Sequence, residues 1–327
     1  MKSFKSFLAK QLKDYVEYRI NTGFAVKTTI FYLKNFDQYV KEKNATWQSF
    51  TPSFFIEYRA TRNFEARTLN NMIPSIRVFF KFLIRKGKIY ENPLQDIPAL
   101  PNNSIVPFIF SPEEVDHLLC AAYRDLRKTE RYFLWDYCAY ISIILMARCG
   151  LRISEPARLL ANHYRPDEKT IYIEKTKFKK DRLIPIPESV ASEINNLVNV
   201  KNTFLPEKNQ NIPYLLTKDE YTKLERDYVA RRFKKAVKDI KLEQPRRVIG
   251  TTNFLPPTPH SLRHSFAVNT LKRIKEKGRS PQNALPVLAV YMGHSEYKHT
   301  TKYLKVLDAV HRRQMLDFSM SKKYEAI

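Results

Sequence analysis

The segment 258–267 contains the residues of this sequence that are best suited to chemistry. His260 and Arg263 lie three positions apart. They follow Thr258 and Pro259, which are typical of the N-cap and the first position of an α-helix. The two side chains should therefore share one face of the first helical turn, where free N–H groups and the helix dipole attract anions. An imidazole and a guanidinium placed there are suited to bind a phosphate group. The alternative is an ordinary amphipathic helix with a polar first turn.

Three other segments separate these two interpretations. Residues 149–155 read Cys-Gly-Leu-Arg-Ile-Ser-Glu, residues 291–295 read Tyr-Met-Gly-His-Ser, and Tyr303 closes the run Thr-Thr-Lys-Tyr. In order and in local sequence, these segments and 258–267 resemble the tyrosine recombinase family, which comprises phage integrases and Xer-like site-specific recombinases. Members of that family use Arg, Lys, His-x-x-Arg, His or Trp, and then Tyr. Four matches in the family's order are far more specific than any one of them.

The resemblance implies an enzyme that breaks and rejoins DNA by transesterification. A tyrosine hydroxyl attacks the scissile phosphate, a 3′-phosphotyrosine link forms and a 5′-hydroxyl leaves, so that no ATP, metal ion or other cofactor is needed. Carried onto this sequence, the catalytic residues are Arg152, Lys177, His260, Arg263, His294 and Tyr303. The tyrosine becomes the nucleophile, the lysine protonates the leaving 5′-oxygen, and the arginines clamp the phosphate. The histidines supply further hydrogen-bond donors or transfer protons. Glu155 becomes a supporting residue that orients an arginine or a histidine, unless it only stabilises the start of its own helix.

The lysine assignment has competitors of the same residue type. Lys177 aligns best with the family when Asp-Arg-Leu-Ile-Pro at 181–185 serves as the anchor. We expect its neighbours Lys175, Lys179 and Lys180 to belong to a solvated basic hairpin that touches the DNA backbone.

The tyrosine assignment has two rivals. Tyr303 follows His294 by nine positions, which is the spacing of the family. Tyr297 lies too close to that histidine, and Tyr291 lies in an apolar segment and should belong to the core.

The charge of the chain indicates a polyanionic partner. The 327 residues include 57 Lys and Arg against 33 Asp and Glu, a formal net charge of +24. Such an excess points to nucleic acid, and the resemblance to the tyrosine recombinases implies double-stranded DNA. The basic residues are spread along the whole chain and not gathered in one amphipathic segment, which argues against a membrane surface. The candidate DNA-phosphate contacts are Lys179, Lys180, Arg182, Arg231, Arg232, Lys234 and Lys235.

Cysteine usage and hydropathy predict a cytoplasmic protein, and the expected DNA partner implies that it is associated with the nucleoid. Cys120, Cys138 and Cys149 are odd in number and too widely spaced for a disulfide framework or a cysteine-based zinc site. The longest apolar run, residues 137–147, is too short to cross a bilayer. The N-terminal residues lack the uninterrupted apolar stretch of a signal peptide.

Hydrophobic spacing and helix signals predict a mainly α fold with two domains. Residues 1–98 resemble the small helical core-binding (SAM-like) DNA-binding domain of the family, and Pro74 should kink or break one of its helices. Residues 99–110 should form an extended linker. Residues 111–327 should form the mixed α/β catalytic domain, with a small β-hairpin or sheet and a tail after Tyr303.

Local signals mark the elements around the candidate site. Gly150 should end a buried helix and leave Arg152 in a turn before another helix. Residues 171–173 and 183–186 are the only clear strand pair, and the stretch 250–257 has the composition of a loop.

From these features we expect the two domains to clamp DNA, and a homotetramer to exchange strands between two DNA sites. The tail of each subunit would dock on its own domain or on a neighbouring subunit. The segment 272–286 is longer than is common in the family and favours the integrase of a mobile element. Three alternatives are a type IB topoisomerase-like enzyme that nicks and closes one duplex, a catalytically inactive DNA-binding regulator, and a metal-dependent nuclease.

Overall fold

A computed structural model describes residues 4–174, 181–205, 213–217, 222–294 and 296–304. The chain divides into two compact units. The N-terminal unit comprises Met1–Ser104 with Gly250–Thr252, and the C-terminal unit comprises Ile105–Ile249 with Asn253–Ile327. Each unit has a hydrophobic core of its own.

The N-terminal unit is helical. Its α-helices are α1 (Ala9–Asn21), α2 (Lys27–Glu42), α3 (Pro52–Thr61) and α4 (Ala66–Arg85). Thr51 caps α3 by accepting a hydrogen bond from the backbone N–H of Phe54, ahead of Pro52 at the first helical position. α4 continues without a break through Pro74.

Aromatic side chains fill the core of this unit. Phe36, Phe55 and Phe80 have no exposed surface. Their ring centroids lie 5.7, 5.3 and 6.1 Å apart, with one stacked pair and two edge-to-face pairs. Such pairs contribute about 0.5–1.5 kcal/mol each beyond the burial of apolar area.

The C-terminal unit is built around one buried helix. Its α-helices are α5 (Pro112–Arg124), α6 (Glu130–Cys149), α7 (Glu188–Phe204), α8 (Arg226–Asp239), α9 (Pro259–Glu276) and α10 (Pro281–Met292). Residues 298–304 are also helical. α6 packs against α5, α7, α8 and α9. Because α6 is apolar around most of its circumference, it is buried on several sides, as its residues Ile141, Leu145 and Met146 illustrate.

Two small sheets complete the fold. The first consists of β2 (Tyr164–Arg165), β3 (Thr170–Ile173) and β4 (Arg182–Pro185), which are antiparallel in the order β2-β3-β4. This confirms the predicted strand pair. The second has the order β1-β6-β5, with β1 at Ser104–Val106, β5 at Arg247–Ile249 and β6 at Thr252–Phe254. The prediction of a loop at 250–257 is therefore wrong in part, since β6 falls within it.

The end of α6 is fixed by a close approach between helices. Gly150 has a left-handed conformation with φ of 63°, and a Cβ at this position would lie 2.5 Å from the ring of Phe266 on α9. Only glycine fits both the conformation and the space. The chain then turns through Arg152 into a single 3₁₀ turn, Pro156–Arg158, where the sequence predicted a helix.

In the part of the chain that the structure describes, none of the helices combines the length and apolar character needed to cross a membrane.

Candidate active site

The start of α9 supplies two of the predicted residues. Thr258 is the N-cap and Pro259 the first helical residue, as predicted. The backbone N–H of Thr258 donates to the hydroxyl of Ser261 at 3.0 Å, which fixes the first turn. His260 is exposed at the outer edge of this turn, whereas Arg263 points inward and is 1% exposed.

The end of α10 brings three arginines together. α10 ends at Gly293, which is left-handed with φ of 65°, and the last carbonyls of a helix lack partners within it. Arg182, Arg263 and Arg152 donate to the carbonyl oxygens of residues 291, 292 and 293 at 2.8, 2.5 and 2.8 Å, respectively. Cations are favoured at this end of a helix by its dipole. The C-terminus of α10 thus anchors three guanidiniums that come from three separate elements.

Glu155 connects two of these arginines. Its carboxylate, which is 3% exposed, accepts hydrogen bonds from the backbone N–H and the Nη1 of Arg152, both at 2.9 Å. It also accepts a bidentate pair from Arg182, at 3.1 and 3.0 Å. Burial by itself raises the pKa of Glu155, but the hydrogen bonds and charge of Arg182 and the backbone bond from Arg152 outweigh it and lower the pKa to about 2. The group is a carboxylate at neutral pH.

The histidines of the cluster are neutral at neutral pH. Burial, followed by the charges of Arg263 and Arg152, lowers the pKa of His294 to about 3. Its Nδ1 lies 2.7 Å from the hydroxyl of Thr300. Although part of His260 is exposed, the desolvation of its imidazole beside the cluster, followed by the charges of Arg263 and Arg152, lowers its pKa as well. A neutral imidazole has one N–H donor and one acceptor nitrogen, so both residues can give or take a proton.

Tyr303 lies against this cluster. It is 5% exposed and packs with residues of α9 and α10 in a small apolar core. Its hydroxyl oxygen is 3.1 Å from the Nδ1 of His264, and its ring stacks at 6.1 Å from the ring of His294. Burial raises the pKa of the phenol, while the charges of Arg263 and Arg152 act in the opposite direction.

The rival tyrosines lie elsewhere. Tyr291 donates its hydroxyl to the carbonyl of Pro185 at 3.0 Å and stacks on Phe266, and Tyr297 is 48% exposed. Five of the six predicted catalytic residues are thus placed in one cluster, drawn from the segments around 152, 260 and 294 and from Tyr303. The sixth, Lys177, lies outside the described residues, as do Lys179, Lys180 and the tail after residue 304. In the part of the chain that the structure describes, no group of three His, Cys, Asp or Glu side chains is placed to hold a metal ion.

This arrangement of arginines, neutral histidines and a tyrosine suits an attack on a phosphodiester, and the comparison with known proteins agrees. Residues 110–309 match the family model of the phage integrase family. The chain belongs to the phage integrase family. It is therefore a tyrosine-type site-specific DNA recombinase.

Relatives of this recombinase match along most of its length. The tyrosine recombinase XerA of Thermococcus kodakarensis is 24% identical, over 91% of this chain and 90% of its own. XerD of Oceanobacillus iheyensis is 26% identical, over 91% of this chain and 94% of its own. The fold is that of a lambda integrase dimer bound to a COC′ core site (TM-score 0.64, 17% identity, 90% of this chain and 76% of that chain). It is also that of XerH bound to a palindromic difH substrate after cleavage (TM-score 0.65, 17% identity, 95% of this chain and 84% of that chain).

Two predicted DNA contacts of the recombinase require correction. The side chain of Arg182 is 7% exposed and is bound by Glu155, so it is not a surface cation available to DNA. Arg232 has a side chain that is 14% exposed and forms ion pairs with Asp125 at 2.7 Å and Asp136 at 3.4 Å. A buried carboxylate therefore binds each guanidinium, Glu155 that of Arg182 and Asp136 that of Arg232.

The other predicted contacts on α8 are exposed. Arg231 lies at the surface beside the ring of Tyr228, and Lys234 has a side chain that is 79% exposed. Lys235 is also exposed and pairs with Asp125. That these three residues contact DNA phosphates remains a prediction.

His264 is a site residue that the sequence analysis missed. It touches the hydroxyl of Tyr303, and its ring centroid is 4.5 Å from that of His260. The signal was present in the sequence, because His264 follows His260 by four positions and residues so spaced share a helix face. The His-x-x-Arg motif itself does not include this position.

Proposed function

We propose that this recombinase cuts and rejoins DNA through a 3′-phosphotyrosine intermediate with Tyr303 as the nucleophile. The observation that carries this proposal is the burial of the Tyr303 hydroxyl in a cluster with Arg152, Arg263 and His294. Such a group of fixed donors stabilises the negative charge that develops on the non-bridging oxygens of a phosphate under attack. Each contact of this kind is worth about 3–4 kcal/mol in the transition state.

In this mechanism the Oη of Tyr303 forms a bond to phosphorus as the bond from phosphorus to the 5′-oxygen breaks. The phenol proton leaves to a neighbouring base, and Lys177 delivers a proton to the departing 5′-oxygen. Attack by a 5′-hydroxyl of another strand reverses these steps and releases the tyrosine. The number of phosphodiester-type bonds is unchanged, so the reaction needs no external energy source.

The two clamp arginines have donors for this task. A guanidinium carries five N–H groups. Arg263 uses its Nη1 and Nη2 to donate to the carbonyl oxygens of Gly150 and Met292, both at 2.5 Å. The guanidinium of Arg152 likewise donates hydrogen bonds to Glu155 and to the carbonyl oxygen of Gly293. We propose that the non-bridging oxygens of the scissile phosphate accept from the remaining N–H groups, with His260 and His294 as additional neutral donors.

We propose double-stranded DNA as the partner and a homotetramer on two DNA sites as the working assembly. The net charge of +24 supports a polyanionic partner. One solved protein of the same fold is a lambda integrase tetramer bound to a Holliday junction (TM-score 0.62, 16% identity, 88% of this chain and 77% of that chain). Transfer of a labelled strand between two duplexes would support recombination, whereas relaxation of a single duplex without exchange would favour a topoisomerase-like activity.

We also propose that this recombination serves a mobile element. The support is the length of the segment 272–286 relative to the common family pattern. The test is the detection of a circular junction between the two ends of the surrounding DNA segment, and its loss when the recombinase gene is disrupted. A fixed chromosomal site without any circular product would oppose a mobile element.

A nicked DNA duplex tests the chemistry itself. The duplex carries a site obtained by selection for bound DNA, and its nick lets the short fragment that bears the 5′-hydroxyl diffuse away after cleavage. The protein should then be trapped as a denaturant-resistant adduct in the presence of EDTA, and peptide mapping should place the DNA on Tyr303. Cutting that depends on a metal ion, without an adduct, would overturn the proposal.

A further inference from the structure

Arg182 has an unusual position for an arginine at the edge of a small sheet. It is the first residue of β4, where it pairs in register with Ile173 of β3. Arginines are seldom buried unless their charge is paired. The side chain of Arg182 is nevertheless only 7% exposed.

All three guanidinium nitrogens of Arg182 are engaged. Nε donates to the carbonyl oxygen of Tyr291 at 2.8 Å, and Nη1 and Nη2 donate to the two oxygens of Glu155 at 3.1 and 3.0 Å. The planar fork of arginine matches this bidentate geometry, and the single ammonium of lysine does not. The contacts therefore depend on arginine and not merely on a positive charge.

Through Glu155 these contacts reach Arg152. The same carboxylate accepts from the backbone N–H and from Nη1 of Arg152, both at 2.9 Å. Arg182 and Glu155 together are formally neutral, which leaves the charge of Arg152 uncompensated and available to an anion. Without Arg182, Arg152 would be the guanidinium left hydrogen-bonded to the buried carboxylate, and its charge would be drawn into compensating Glu155.

Arg182 also packs against the segment that leads to His294. A Cβ on Gly293 would lie 2.9 Å from Nη1 and 3.1 Å from Cζ of Arg182, so the guanidinium lies directly on that glycine. The carbonyl of Gly293 accepts from Nη2 of Arg152 at 2.8 Å. Arg182 therefore touches both the carboxylate that holds Arg152 and the backbone next to His294.

We propose that Arg182 is a positioning residue of the recombinase. It neutralises and orients Glu155, and thereby aims Arg152 at the scissile phosphate with its charge intact. It also fixes the C-terminus of α10, from which His294 projects. This inference rests on the proposed function, because it assigns to Arg152 the phosphate of the cleavage reaction.

The test compares Arg182→Lys with Arg165→Lys, an arginine of the same sheet on β2 that is exposed and pairs with Glu168. Two quantities are measured for each. The first is the rate of covalent adduct formation on the nicked duplex at saturating protein, and the second is DNA affinity over a range of salt concentrations. We expect Arg182→Lys to slow adduct formation by roughly 100-fold. Affinity and the slope of its salt dependence should not change, and Arg165→Lys should match the wild type in both.

A neutral substrate separates positioning from mere structure. A methyl group in place of one non-bridging oxygen makes the scissile phosphate neutral. The transition state then carries less negative charge for the guanidinium of Arg152 to stabilise. The defect of Arg182→Lys should therefore shrink to within about tenfold of the wild type on that substrate. In addition, the Arg182→Lys defect should be smaller in a Glu155→Gln background than in the wild type, because residues that act through one another are not additive. A general loss of structure would slow both substrates equally.

A second variant keeps the test decisive if Arg182→Lys does not fold. Replacing a buried ion pair by apolar residues is often neutral or stabilising, so Glu155→Met with Arg182→Met should fold while leaving Arg152 without its carboxylate partner. We expect that double variant to melt near the wild-type temperature and still to form the adduct slowly.

If the wild type forms the Tyr303 adduct, three results would overturn this inference and leave the proposed function intact. They are wild-type adduct rates in Arg182→Lys, wild-type rates in the double methionine variant, and a salt slope shallower by about 0.9 in that double variant, which lacks the charge of Arg182; the shallower slope would make Arg182 a direct DNA contact. A wild-type protein that forms no tyrosine adduct would instead overturn the proposed function, and this inference with it.

Discussion

The Nδ1 atom of His264 lies 3.1 Å from the hydroxyl oxygen of Tyr303. Burial, then the neighbouring charges of His260, Arg263 and Lys302, lowers the pKa of His264 to about 3, so its imidazole is neutral at neutral pH. A neutral imidazole protonated on Nε2 offers Nδ1 as an acceptor for the phenol proton. α9 therefore carries His260 and Arg263, which we propose to contact the phosphate, and, one turn after His260, a partner for the tyrosine.

This contact predicts different outcomes for two substitutions of His264. In His264→Asn a polar atom can take the place of Nδ1, whereas His264→Phe keeps an aromatic ring and removes the hydrogen bond. We expect the phenylalanine variant to form the tyrosine adduct roughly tenfold more slowly than the asparagine variant, the scale of one lost hydrogen bond. Single-turnover cleavage of the nicked duplex measures both rates. Equal rates would show that the contact has no part in cleavage.

The lowered pKa values of the histidines predict a loss of stability in mild acid. His264 and His294 each have a pKa of about 3 in the folded state against 6.5 ordinarily. Below pH 6.5 the unfolded chain therefore takes up protons that the folded chain does not. The free energy of unfolding should therefore fall as the pH falls from 6.5 towards 3. Above pH 6.5 the two histidines should cause no further change in stability, because they are neutral in both the folded and the unfolded chain.

Urea unfolding followed by circular dichroism at about pH 7.5 and about pH 5 checks this expectation. The matched control is the double variant His264→Asn with His294→Asn, which lacks both titrating groups. Its unfolding midpoint should change less between the two pH values than that of the wild type. The same change in both proteins would show that other groups, such as the carboxylates, govern the acid response.

The assignment of Lys177 as the acid predicts rescue by a better leaving group. Lys177→Ala should block cleavage of ordinary DNA, because the 5′-oxygen then leaves without a proton. A sulfur at the 5′-bridging position leaves without protonation and should restore cleavage. Lys175→Ala serves as the control: at saturating protein it should cleave both substrates like the wild type, because the loss of a contact to the DNA backbone lowers affinity and not the rate of cleavage of bound DNA. If the sulfur substrate instead rescues a defect in Lys175→Ala or Lys179→Ala, the alignment of this hairpin is wrong.

Local features of the fold could be predicted because their causes are local. The start of α9 after Thr258 and the end of α6 at Gly150 each depend on a few neighbouring residues. The strand β6 was missed because it has only three residues, too few for an alternating pattern to stand out.

The environment of Arg182 depends on residues that are distant in the chain. Its partners are Glu155, 27 positions earlier, and Tyr291, 109 positions later. A charged residue in a basic hairpin is expected to face solvent, and nothing in the neighbouring sequence contradicts this expectation. The motifs could therefore identify the members of the site, but not the contacts by which Glu155 and Arg182 orient Arg152.

The final prediction concerns Tyr303, whose hydroxyl is the atom that should become bonded to DNA. Tyr303→Phe deletes this one oxygen and keeps the ring that packs against α9 and α10. Covalent attachment should therefore be lost, while the melting temperature and the affinity for DNA stay close to those of the wild type. The nicked duplex in EDTA measures attachment. Tyr297→Phe is the matched control: because the Tyr297 ring is 48% exposed, loss of its hydroxyl should leave adduct formation unaffected. An adduct that persists in Tyr303→Phe, or that maps to Tyr291 or Tyr297 in the wild type, would show that another residue is the nucleophile.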